Sequence, residues 1–157
     1  MTYKCFDVSI ADNIAHIVMS RPEKRNAMIA EFWSELPDII RDIDDNSKAR
    51  VIVISSTGPV FSAGIDLSMF ANDVAGPKDK NDPLFGASFY ENVKRLQDSF
   101  TAIEDCRIPV LAAIQGGCYG GGVDLITACD MRYGTEDSFI TIYEIIVGMT
   151  ADVGTFP

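Results

Sequence analysis

Two uninterrupted apolar runs, Val51-Ile52-Val53-Ile54 and Val110-Leu111-Ala112-Ala113-Ile114, narrow the possible folds more than any other feature of the chain. Runs this short that are rich in β-branched residues and lack polar alternation suit strands buried on both faces of a parallel sheet. Parallel neighbours need a crossover, usually a helix. One is available between them, where Phe89, Val93, Leu96, Phe100 and Ile103 mark a single helical face. Ahead of the first run, Phe32, Trp33, Leu36, Ile39, Ile40 and Ile43 recur at helical spacing, with Pro37 inside the pattern. Proline removes a helical hydrogen bond, so this helix is expected to kink there or to begin only about one turn earlier. Residues 3–10 and 16–20 read as short strands around Ala11-Asp12-Asn13, and residues 131–133 and 139–142 as two more. Residues 72–86 are polar and rich in glycine and proline, and read as a surface loop. Strands alternating with helices define an α/β fold with mostly parallel pairing, and 157 residues suit a single domain over 1–157.

Charge and composition exclude several function classes. The formal net charge is −10, which disfavours binding to nucleic acid, although Arg21, Lys24 and Arg25 form one local cationic patch. No apolar run reaches the roughly 18–20 residues of a membrane helix, so no membrane insertion is expected. The start Met1-Thr2-Tyr3-Lys4 has neither the basic nor the apolar region of a secretory signal. Cys5, Cys106, Cys118 and Cys129 form no Cys-x-x-Cys pair, and the only histidine is His16. That leaves no zinc set, and the thiols read as reduced and mostly buried in an intracellular protein. His16, in a short apolar strand, reads as a packed side chain. The chain stops at Pro157, just after a helix start at Asp152, and a truncated form is expected.

Three segments have the composition of a reactive site. Ser62-Ala63-Gly64-Ile65-Asp66 follows a buried strand, where backbone N–H groups can face a cleft. Gly116-Gly117-Cys118-Tyr119-Gly120-Gly121-Gly122 joins a strand to a helix reaching about Ala128. Such a turn lets a ligand approach the backbone closely, beside the free donors of a helix N-terminus. Its glycines fit neither the dinucleotide fingerprint nor the phosphate loop, so the turn suits an oxyanion better than a nucleotide phosphate. The third segment is a set of carboxylates, Asp124, Glu144 and Asp152, in apolar or small-residue surroundings. Burial there would raise a carboxyl pKa and favour proton transfer near neutral pH. Taken singly, each segment also fits a plain structural role: a turn, tight helix–sheet packing, a helix cap or a solvated charge.

Taken together, Arg21-Pro22-Glu23-Lys24-Arg25-Asn26-Ala27, Phe61-Ser62-Ala63-Gly64-Ile65-Asp66-Leu67 and residues 114–125 resemble the enoyl-CoA hydratase/isomerase (crotonase) superfamily. The tail is similar to its dienoyl-CoA isomerases, which have aspartate after the glycines, here Asp124, and a further aspartate, here Asp152. The resemblance implies a crotonase-like spiral of β-β-α units whose C-terminal helical region is missing. It implies isomerisation of a 3,5-dienoyl-CoA to the 2,4-dienoyl-CoA in fatty acid β-oxidation, with Glu144 and Asp152 as the proton-shuttling pair and Asp124 as the third acidic position. The N–H groups of Ala63 and Gly121 would hold the thioester oxygen. Substrate contacts are implied for Lys24, Arg25, Ala27, Ser62, Ala63, Gly64, Ile65, Asp66, Leu67, Gly120 and Gly121, with Lys24 and Arg25 meeting the CoA phosphates. No metal or redox cofactor is implied. The family forms homotrimers and hexamers, and the resemblance suggests mitochondria or peroxisomes. The rival expectations are an enoyl-CoA hydratase, disfavoured by Asp124 and Asp152, and a non-catalytic truncated form that binds subunits or CoA esters.

Overall fold

A computed structural model describes residues 2–71, 83–148, 150–151 and 153–154. Two strands, β1 (Phe6–Ala11) and β2 (Ile14–Met19), form an antiparallel hairpin. Its two-residue turn, Asp12-Asn13, has both residues at positive φ (51° and 64°), the geometry that matches the twist of paired strands. Then follow, in chain order, α1 (Phe32–Asp45), β3 (Val51–Ser56), α2 (Ser68–Ala71), α3 (Phe85–Glu104), β4 (Val110–Ile114), β5 (Gly117–Tyr119), α4 (Gly121–Ala128), β6 (Met131–Gly134) and β7 (Phe139–Thr141). The main sheet has five strands in the order β1-β2-β3-β4-β6, and every pair after the hairpin is parallel. β5 and β7 form a separate parallel pair.

The expectation that β3 and β4 are buried on both faces is corrected. Ile52, Ile54, Val110, Ala112 and Ile114 are buried, and they align with Ala15, Ile17 and Met19 on one face. Val51, Val53, Leu111 and Ala113 on the other face are only half-buried. The buried strand residues share one hydrophobic core with the apolar stripes of α1 and α3.

Of the two expectations for Pro37, the structure has the second: α1 begins at Phe32, little more than one turn ahead of the proline, and continues through it. A helical residue at that position would donate its N–H to the carbonyl of Trp33, which proline cannot do. The hydroxyl of Ser99, fully buried on α3, donates to that carbonyl instead at 2.9 Å. The helix therefore tolerates its proline because a neighbouring helix supplies the missing donor. Trp33 also packs edge-on against Phe32 and Phe100, at centroid distances of 5.4 and 5.5 Å.

β5 was not visible in sequence, because Gly117-Cys118-Tyr119 has no alternation and becomes a strand only through its pairing with β7. Cys5, Cys118 and Cys129 are buried free thiols, and Cys106 is half-buried. His16 is half-buried on β2, with Nε2 2.7 Å from the Ser55 hydroxyl. The loop expected over residues 72–86 lies largely outside the described residues. No helix among the described residues is long and apolar enough to cross a membrane.

Candidate active site

Two stretches of backbone, 61–65 and 117–121, make the site by lying side by side. The Phe61 N–H donates to the Gly117 carbonyl at 2.9 Å and the Tyr119 N–H to the Ser62 carbonyl at 3.0 Å. The first stretch is held from its other side by residues 25–28. Ala63 N–H donates to the Arg25 carbonyl (2.9 Å), Met28 N–H to the Gly64 carbonyl (2.8 Å) and Asp66 N–H to the Met28 carbonyl (2.9 Å).

Gly64 is required where the two stretches meet. It has φ +79°, and a Cβ there would lie 2.7 Å from the Tyr119 carbonyl oxygen and 3.2 Å from the Gly121 nitrogen. A Cβ on Gly121, the first residue of α4, would lie 3.7 Å from the Ile65 nitrogen. The amides of Ile65 and Gly121 are therefore neighbours, and neither donates to another group among the described residues. Neighbouring N–H groups without an acceptor, one of them at a helix N-terminus, are donors of the kind that suits an anion.

This arrangement corrects the expected donor pair. Ala63 cannot supply its N–H, because the Arg25 carbonyl already holds it. The free amide on this stretch belongs to Ile65. Ser62 is likewise corrected as a substrate contact: it is fully buried, and its hydroxyl lies between the Asn26 carbonyl (2.9 Å) and the Gly64 N–H (3.1 Å).

The amides open into a cleft of about 120 Å³ lined by Ala63, Gly64, Ile65, Leu67, Gly120, Gly121, Tyr143 and Glu144. Glu144 starts a 3-10 turn, Glu144–Val147, after β7. Its carboxylate lies against Gly120, where a Cβ would come within 3.1 Å of Oε1. Gly120 has φ +49°, and its N–H is tied to the Thr141 carbonyl at 3.1 Å. The Glu144 Oε2 is buried and makes no hydrogen bond among the described residues. A buried carboxylate oxygen in that state is uncommon in folded proteins.

Asp124 lies in the first turn of α4 and is fully buried. There the helix dipole favours a negative charge. Burial, and secondarily the charge of Asp124, push the Cys118 thiol up to about 12. Asp152, the third carboxylate singled out in sequence, lies outside the described residues.

A second, larger cavity of about 490 Å³ is lined by Lys4, Arg21, Lys24, Ile29, Ala30, Glu31, Asp66, Ser68 and Met69. Lys24 thus faces an open pocket. Arg25 is exposed, and its backbone contributes through the carbonyl that accepts from Ala63. Arg21 ties down the same loop by donating from Nη1 to the Ala27 carbonyl at 2.6 Å. The Asp66 carboxylate accepts from the Ser68 hydroxyl and N–H at the start of α2, and these bonds hold it below the usual carboxylate range. Among the described residues, no group of three or more His, Cys, Asp or Glu side chains could hold a metal ion.

Sequence reasoning missed Tyr143, which lines the cleft beside Glu144 and packs edge-on against Tyr119 with centroids 5.7 Å apart. Its place next to a candidate carboxylate was the available signal.

Comparison with known proteins agrees with the fold. Residues 9–157 match the enoyl-CoA hydratase/isomerase family, and the chain belongs to that family. It is 44% identical over 154 residues to the mitochondrial Δ(3,5)-Δ(2,4)-dienoyl-CoA isomerase of Rattus norvegicus, covering 98% of this chain and 47% of the relative. It is 38% identical to the peroxisomal Δ(3,5)-Δ(2,4)-dienoyl-CoA isomerase of Arabidopsis thaliana, covering 98% of this chain and 57% of the relative. Among solved structures, a protein of Thermobifida fusca YX in complex with acetoacetyl-CoA superposes with a TM-score of 0.80 and 31% identity, covering 95% of this chain and 58% of the other. The fold is therefore crotonase-like. The chain spans about half the length of the curated relatives it matches.

Proposed function

We propose that this chain carries the site of a dienoyl-CoA isomerase, moving the double bonds of a 3,5-dienoyl-CoA into conjugation with the thioester. The observation that carries this reading is one cleft in which two free amides, Ile65 and Gly121, adjoin a carboxylate, Glu144, that has a buried oxygen without a hydrogen bond among the described residues.

The thioester oxygen accepts from the two amides. One of the pair Glu144 and Asp152 takes a proton from C2, and the electron pair left behind is held as an enolate on that oxygen. The other carboxylate gives a proton to C6, and the double bonds settle at C2–C3 and C4–C5. The proton count is unchanged, and the reaction needs no redox group. Each preorganised donor is worth roughly 3–4 kcal/mol in a transition state of this kind. That stabilisation lets an ordinary carboxylate serve as the base. Asp124, beneath the glycine turn, sets the charge around the pair. Lys24 and the cationic pocket beside it suit the phosphates of CoA.

The acyl-CoA partner is supported by the T. fusca complexes with acetoacetyl-CoA and CoA. Mitochondria or peroxisomes are the inferred compartments, because the isomerases it resembles are named for them. Assembly of copies into trimers belongs to the same proposal.

The test is a spectrophotometric assay of the purified chain with a 3,5-dienoyl-CoA, following the ultraviolet absorption of the conjugated product. Steady turnover is expected. A folded sample that binds the thioester without turnover would replace this reading with a non-catalytic CoA-ester-binding form.

A further inference from the structure

We infer that Ser62 is a positioning residue, which acts through Gly64 to leave the Ile65 N–H as the one amide of its loop able to reach the thioester oxygen. The inference rests on the oxyanion reading above and extends it to a side chain that never touches substrate. Of the five amides between positions 62 and 66, four are tied inward. Ser62 N–H reaches the Gly117 carbonyl (3.4 Å), Ala63 N–H the Arg25 carbonyl (2.9 Å), Gly64 N–H the Ser62 hydroxyl (3.1 Å) and Asp66 N–H the Met28 carbonyl (2.9 Å). Only Ile65 is left over. Three of those four acceptors are backbone carbonyls, fixed by the fold. The fourth is a side chain, so the identity of residue 62 decides whether the Gly64 amide is held.

Gly64 is also the residue best able to turn if released. It sits at φ +79° with no side chain to confine it. With its N–H untied, the Ala63–Gly64 peptide plane can rotate. The next plane, which carries the Ile65 N–H, is then held only by the Met28 N–H on the Gly64 carbonyl (2.8 Å), a single tie about which it can tilt the Ile65 N–H off the cleft.

The hydroxyl is itself well anchored. It donates to the Asn26 carbonyl at 2.9 Å, and Asn26 is 3% exposed with a left-handed φ of 53°. The Asn26 side chain accepts from the Arg21 N–H (2.9 Å) and donates to the Thr57 carbonyl (2.7 Å) and the Val60 carbonyl (3.3 Å). Asn26 thus couples the cationic loop to the residues leading into the oxyanion loop, and Ser62 passes that geometry to Gly64.

The test compares wild type and Ser62→Ala by infrared spectroscopy, with a 2,4-dienoyl-CoA carrying ¹³C at the thioester carbonyl as the probe. Wild type is expected to shift the carbonyl stretch to lower frequency on binding. Ser62→Ala is expected to lose at least half of that shift and to reduce kcat 10- to 100-fold, with KM changed less than about threefold. If Ser62→Ala does not fold by circular dichroism, Ser62→Cys, which keeps the volume and weakens the hydrogen bond, is read in the same way. An undiminished shift and unchanged kcat in the variant overturn the positioning role and leave the oxyanion reading standing. No shift in wild type overturns the oxyanion reading, and the positioning role falls with it.

Discussion

Ile65 and Ala63 show how a site is decided at the scale of one residue. Both lie in the same glycine-containing loop, and sequence gives no means of telling which amide is free. The answer depends on the Arg25 carbonyl, which is distant in sequence and takes the Ala63 N–H. Glu144 is different, because its place after a strand was legible in sequence, although its contact with Gly120 was not. Replacing it with glutamine keeps the shape and removes one carboxylate of the proposed proton-shuttling pair. Turnover of the dienoyl-CoA should fall by about 10²–10⁴-fold, the usual contribution of a positioned proton-transfer group. Thioester affinity, measured by calorimetry, should stay within a few-fold, and an equal loss of binding would remove Glu144 from proton transfer. The thiols give a second prediction. Burial pushes Cys5, Cys118 and Cys129 each up to about 12. The folded state therefore keeps these thiols protonated where the unfolded chain, with thiols near about 8.5, does not. Their stabilising contribution is complete below about pH 8.5 and is lost as pH rises toward 12. Denaturant titrations should show stability declining through that window, and iodoacetamide at pH 8 should label Cys106 well ahead of the other three. Uniform labelling of the native protein would contradict the burial of these thiols.

At the scale of elements, the informative case is α1. Its apolar spacing predicted a helix, and its proline predicted a kink or a start about one turn earlier, and the helix does start there. The stripe of Phe32, Trp33, Leu36, Ile39, Ile40 and Ile43 is buried throughout, and full burial of one such side chain is worth about 1.5–3 kcal/mol. Several such contributions together offset one proline, provided the carbonyl it leaves behind finds a donor. Ser99 is that donor. Ser99→Ala should therefore cost about 1–3 kcal/mol, the penalty of a buried acceptor left unsatisfied, visible as a lower midpoint in urea. A serine-to-alanine change on an exposed helix face would be nearly neutral, so a change below about 0.5 kcal/mol would show that water or another group reaches the Trp33 carbonyl. The strands β5 and β7 are the converse case. Neither has a strong pattern of its own, yet their pairing places Gly120 and Glu144 against each other, because Gly120 follows β5 and Glu144 follows β7.

For the whole molecule, the outstanding surface feature among the described residues is apolar exposure on β6, on β7 and on the turn beyond it. Met131, Tyr133, Phe139, Ile140, Ile145 and Ile146 are each at least half exposed, with Ile145 reaching 76%. Exposed apolar side chains of this kind favour association, and β6 is the last strand of its sheet among the described residues. The 157-residue chain should self-associate with a concentration-dependent mass in light scattering, and Ile145→Lys with Ile146→Lys should reduce it. A monodisperse monomer at high concentration would show that this surface stays wet. Sequence alone determined which segments form strands and helices in the main sheet, because periodicity and turn chemistry are local properties of the chain. It also marked the glycine turn and the carboxylates, since few residue types can do such chemistry. Which amide is free, what satisfies Trp33 behind Pro37, and which face of the sheet is covered were decided only by the tertiary structure. Each depends on a hydrogen-bond partner or a packed surface brought from a distant part of the chain, and local pattern carries no record of that partner.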